Sequence, residues 1–266
     1  MELFQVLVVA FGGSVAALAV AAFLGKTLIS QLLARELEAV RSRLKTEGDT
    51  LVESLRARLQ HEARVDERQF ERAQVMRRYQ GPLLHAVYDL QSRLYNILAN
   101  RFLDIYLVNG TPEQQHYAEN NTAFLISQFF GWTEVIRQEV QFIDFEEDDQ
   151  TRRLSDLRDA IYGLWQTDRF ADPFMIWAGE QRAIGELMIE VRGDQLVCKG
   201  YANFLKSFGA GEERLIDRLR QAALASATAH GHAHDRLRAI QHRLVEMLDV
   251  LDPKRIRFRE AQRTKA

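Results

Sequence analysis

Cysteine is nearly absent. Cys198 stands alone, so the chain closes no intrachain disulfide and suits a reducing compartment. Proline is scarce, four in 266 residues, as long helices require. Charge of one sign is also missing. Lys and Arg number 35 against 37 Asp and Glu, and a formal net charge of −2 lacks the basic excess of a dedicated nucleic-acid binder. The short motifs of common chemistry are missing too: there is no HExxH, no CxxC and no Gly-rich dinucleotide fingerprint. Gly25-Lys26-Thr27 imitates the end of a P-loop, but Val20 stands where the loop needs its first glycine, and no strand precedes it. Gly13-Ser14 lacks the flanking pattern of a nucleophile elbow. No cofactor is expected. A second long hydrophobic run is absent as well; FLISQFFGW at 124–132 is short and holds Ser127 and Gln128.

What is present begins with residues 6–25, VLVVAFGGSVAALAVAAFLG, where Ser14 is the one polar side chain. At about 1.5 Å per residue, a helix of that length crosses the roughly 30 Å hydrocarbon core of a bilayer. Residues 1–27 are therefore expected to be a single transmembrane anchor with the lipid bilayer as its partner. A cleaved signal peptide needs a positive leading region, and Glu2 is the one charged side chain before Gly25. Lys26, Arg35, Arg41, Arg43 and Lys45 all follow the run, which places the rest of the chain on the cytoplasmic side of an inner membrane. Gly13, Ala17, Ala21 and Gly25 recur every four residues, a ridge along which two spanning helices can pair.

Residues 28–78 read as a coiled-coil stalk. Leu33, Leu37, Val40, Leu44, Leu51, Leu55 and Leu59 follow three- and four-residue steps among charges, with Glu47 at the one skipped position. Self-association is expected through Gly13, Ala17, Ala21, Leu37, Leu44, Leu51 and Leu55, giving a homo-oligomer. Gly81-Pro82 should break this helix and start another. Residues 79–251 then read as an all-α helical bundle. Its helices are expected from Leu83 to Asn109-Gly110, from Thr111-Pro112-Glu113 to about Phe145, around Leu154, Leu157, Ile161 and Trp165, from Asp172-Pro173 to about Met188, and over 212–228 and 235–251. The acidic cluster at 146–149 reads as a loop feeding a helix. The segment IEVRGDQLVCKG at 189–200 alone looks strand-like; flanking helices favour helix–turn–helix there over a hairpin. Residues 252–266 form a basic tail, expected either as a solvated terminus or as a contact for anionic headgroups.

The block RRYQGPLLHAVYDLQSRLYNIL, with GWTEVIRQEVQFID and QRAIGELM after it, resembles bacterial single-span proteins that combine an anchor, a coiled coil and a helical domain. The resemblance implies that architecture and supplies no site residues.

Candidate chemistry is sparse. Glu180, Arg182 and Glu186 share one helix among Trp177, Ile184 and Leu187, and could act as a partly buried catalytic network, though surface ion pairing is the reading favoured. Asp89, Arg93 and Asn96 form a second such set, read as a structural network. His230, His232 and His234 alternate in a connector and are the best candidate metal ligands. Glu113 and His116 have the Glu-x-x-His spacing of di-iron bundles, but no second pair exists. These features point to a membrane-anchored, oligomeric scaffold that presents its helical domain to a protein partner. A membrane-tethered enzyme and a metal or small-ligand sensor are the alternatives.

Overall fold

The computed structural model describes the backbone of residues 2–140, 149–209, 213–228 and 234–266; the side chains of 2–22, 68–69, 71–73, 75–77, 140 and 150–151 lie outside that description. The chain is mostly helical and divides into two compact units, Met1–Gln69 and Phe70–Ala266. The first helix, α1, spans Glu2–Asn100 and contributes to both.

In the first unit, α1 exposes its described side chains almost throughout. Leu37, Leu44, Leu51 and Leu55 are 52–63% exposed. Among the described residues no helix is long and apolar enough to cross a membrane. The apolar run at 6–25 and the small ridge of Gly13, Ala17 and Ala21 lie outside the described side chains, apart from the run's last residues.

The expected break at Gly81-Pro82 does not occur; Pro82 lies inside α1. Gly81 offers no Cβ to clash with the proline ring, and Arg78, whose carbonyl loses its partner, is exposed.

The second unit is one helical body around a single core. Leu83, Val87, Leu90, Leu94 and Ile97 of α1 are buried at helical spacing. They meet α2 (Pro112–Val140), α3 (Asp149–Gln166), α4 (Ala178–Leu187), α5 (Tyr201–Phe208), α6 (Arg214–Ala227) and α7 (Asp235–Leu251) in one apolar cluster. Helix α3 packs on α7, while α2 packs on both α4 and α6. Two glycines set the α2 spacing. A Cβ on Gly185 would sit 2.8 Å from the Glu134 Cβ and from the Phe130 carbonyl, and one on Gly131 would sit 2.8 Å from the Met188 Cβ.

Three expectations are corrected. Asp172-Pro173 does not start a helix. Asp172 Oδ1 accepts from Phe174 N and from Arg236 Nε, each at 2.9 Å, in a fully buried ion pair. Arg236 also donates to the Trp165 carbonyl at 3.0 Å, so the pair anchors an irregular segment and α4 begins only at Ala178. Residues 189–200 do form a hairpin, β1 (Ile189–Arg192) against β2 (Gln195–Cys198), with Ile189 opposite Cys198. Gly193 takes φ +66°, as a two-residue turn requires at its first position. Lys199 closes the base by donating to the carbonyls of Leu187 at 2.6 Å and Ile189 at 3.3 Å. The short α5 that follows had no counterpart in the sequence reading.

The tail packs on the body rather than forming a loose terminus. Asp252, beyond α7, accepts backbone N–H bonds from Ile256, Arg257 and Phe258 at 2.9, 3.1 and 3.2 Å, and Arg263 Nη2 reaches it at 2.7 Å. Phe258 stacks on Tyr88 with centroids 3.8 Å apart. Gln91 and Gln241 donate to the carbonyls of Gln262 and Thr264 at 2.9 and 2.8 Å. Arg263 is buried, Lys265 pairs with Glu246 and Arg255 pairs with Glu260, while Lys254, Arg257 and Arg259 are exposed.

Candidate functional site: a cleft beside a π-helical turn

Helix α1 stops at Asn100 because Arg101 turns into the left-handed region, at φ +53°. A π-helical turn, Asp104–Val108, follows. Such turns are rare and recur at functional sites. Arg101 pairs with Asp104, whose carbonyl accepts from Asn109 Nδ2 at 2.9 Å. Gly110 is required here, since a Cβ would collide with the Tyr106 carbonyl. Thr111 then caps α2. Its Oγ1 accepts from Gln114 N at 3.3 Å, and Gln114 Oε1 accepts from Thr111 N at 2.9 Å. This reciprocal pair is a capping box, as Thr111-Pro112-Glu113 announced.

These turns frame a cleft of about 550 Å³ lined by Asn96, Asn100, Phe102, Ile105, Tyr106, Glu113, Gln114 and Tyr117. The size suits a small ligand. Half of its lining residues are aromatic or aliphatic and half are polar or charged. Asn100 donates to Asn96 Oδ1 at 2.8 Å, so the oxygens of Asn96 and Gln114 are engaged within the protein while their amide nitrogens donate to no group among the described residues.

Arg93 lies beside this wall. It is 8% exposed, and its guanidinium carbon sits 3.8 Å from the Phe102 ring centroid and 5.6 Å from that of Tyr117. Nη2 donates to Asn121 Oδ1 at 2.6 Å; Nη1 is buried with no hydrogen-bond partner. Burial pushes the guanidinium below its ordinary value, while the nearby Tyr117 and Tyr201 hydroxyls pull it back up. The ring contacts stabilise the cation by about 0.5–2 kcal/mol, less than the several kcal/mol that burying a charge costs.

The sequence-nominated residues fall as follows. Asp89 does not join Arg93. Burial raises its carboxyl, opposed by His85, and Asn96 turns to Asn100 instead. Glu180, Arg182 and Glu186 do not converge. Glu180 accepts from Trp177 N at 3.1 Å and pairs with Arg218, while Arg182 and Glu186 are exposed. The buried carboxylate of that region is Glu134, which the sequence reading missed. Burial pushes it up, but Arg137 at 2.7 Å and Gln138 at 2.9 Å outweigh that and hold it below the usual range. Its signal was an acid at a core-facing position of α2 with Arg137 three residues on. His230 and His232 lie outside the described residues, and His234 Nε2 donates to the Ser226 carbonyl at 3.1 Å. Glu113 lines the cleft, whereas His116 faces Asn120 at 3.3 Å. Among the described residues no cluster of three metal-ligating side chains occurs.

No protein-family profile, curated protein or solved structure matches the chain, so the likeness to bacterial single-span proteins gains no support from them.

Proposed function

We propose that this protein is a membrane-anchored, self-associating scaffold that holds its helical body on the cytoplasmic face of an inner membrane for a protein partner. Residues 6–25 are the anchor, and the seam of Leu37, Leu44, Leu51 and Leu55 joins copies. One observation carries the reading. The body buries one large apolar cluster and exposes only scattered apolar side chains, whereas these four leucines are more than half exposed at coiled-coil spacing. A helix this polar with one apolar stripe gains its stability from a partner on that stripe. Two weak interfaces on one chain, the seam and the Gly13/Ala17/Ala21 ridge, reinforce each other through effective concentration.

The test uses the full chain in detergent with light scattering after size exclusion. Leu44→Glu and Leu55→Glu should each lower the mass; an unchanged mass for both removes self-association from the reading. Alkaline extraction checks the anchor. The intact chain should stay with membranes and a chain lacking residues 1–26 should be released, while an intact chain found in the soluble fraction defeats the anchor.

A further inference from the structure

Four arginines are buried among the described residues, and three have a carboxylate: Arg220 has Asp217, Arg236 has Asp172 and Arg263 has Asp252. Arg93 has none: Nη2 reaches the Asn121 oxygen, the Tyr117 hydroxyl and two ring faces lie beside the cation, and Nη1 has no hydrogen-bond partner. A buried cation without a counter-charge is uncommon, because desolvation is then uncompensated. The two rings it stacks on, Phe102 and Tyr117, both line the cleft. The donors that the cleft itself offers are the Asn96 and Gln114 amide nitrogens, whose oxygens are already engaged. An acceptor-only anion matches all three donors in kind.

The chemistry narrows further. A cationic guest would want the ring faces, and Arg93 already occupies one face of Phe102 at 3.8 Å. A phosphate would want several cations, and with none in the lining Arg93, behind the rings of Phe102 and Tyr117, stands alone. Glu113 stands exposed in water, where its charge is screened more than that of the buried Arg93. Flat apolar walls suit a flat apolar body. We therefore propose that this cleft binds a small carboxylate carried on a flat apolar body, with Arg93 as its counter-charge and the Asn96 and Gln114 amides as its orienting donors. Tyr117, 48% exposed, is the ring that must swing to admit the carboxylate to Nη1.

Benzoate and benzamide share size and ring but differ in charge. They are titrated by ligand-observed NMR against the full chain in a neutral detergent, with detergent alone as blank. Benzoate should bind about tenfold or more tighter than benzamide, the effect of one charge-assisted contact. Arg93→Gln should abolish that preference. Tyr117→Ala, at a half-exposed position, should keep the melting temperature and still weaken benzoate several-fold. If Arg93→Gln fails to fold, Gln114→Ala takes its place and should weaken benzoate more than benzamide. Equal binding of the two probes, no saturable benzoate binding, or benzoate binding unchanged by Tyr117→Ala would overturn the proposal.

Discussion

The Asp252–Arg263 pair shows how single side chains decide the state of a whole segment. Arg263 Nη1 also reaches Asp249 at 2.8 Å, so one guanidinium serves two carboxylates. Removing it strands a buried Asp252. Arg263→Met should destabilise the body by about 3–5 kcal/mol, read from urea unfolding. The same carboxylate should respond to acid. Burial works to raise it, but three backbone N–H groups and Arg263 win, and Asp252 sits below the ordinary aspartate range. A depressed folded value gives full stabilisation above the unfolded value of about 4, lost as pH falls through the lower folded one. The wild type should therefore lose stability below about pH 4 more steeply than Asp252→Asn. Parallel profiles would show that Asp252 is not the acid-sensitive latch.

At the scale of elements, close approach governs the packing of α2. Gly185 lets α4 meet the α2 backbone at Phe130, and a methyl there meets main chain rather than a yielding side-chain tip. Gly185→Ala should cost about 1–3 kcal/mol by calorimetry, while Gly163→Ala, with open space around it, should cost far less. Elements were legible in the sequence where one local pattern sufficed. Helix α7 spans Asp235–Leu251, the limits its periodicity gave, and the Thr111 cap stands where Thr-Pro-Glu placed it. Elements were misread where a distant partner decides. Asp172 looks like a helix start until Arg236, 64 residues away, takes its carboxylate. The tail looks solvated until Tyr88 and Gln91 hold it. The hairpin is the less favoured reading of 189–200 because helices flank it, although Gly193-Asp194 supplies its turn. The cleft is only partly legible for a related reason. The sequence marks Arg93 and Asn96 as one polar set, but the missing carboxylate of Arg93 shows only once the other buried arginines are seen paired.

For the molecule as a whole, the buried apolar residues run from Tyr79 onward among the described ones, and none lies in the first unit. Deleting residues 1–69 should leave the melting temperature of the body unchanged and remove self-association; a large drop by calorimetry would mean that the first unit contributes to the body's stability. The lone thiol offers a way to watch that body open. Burial chiefly lifts Cys198 to about 12, with Lys199 pulling down and Glu190 pushing up, and its Sγ faces the Gln128 carbonyl at 3.9 Å. At neutral pH the native thiol is almost wholly un-ionised and shielded, and so inert to alkylation. Every alkylated molecule must have parted the hairpin from α2 first. With no other cysteine to confuse the signal, the alkylation rate divided by that of the unfolded chain gives the equilibrium constant for this opening directly. The protein thus carries its own clock, and any ligand or partner that binds the closed body should slow it by the factor 1 + [L]/Kd.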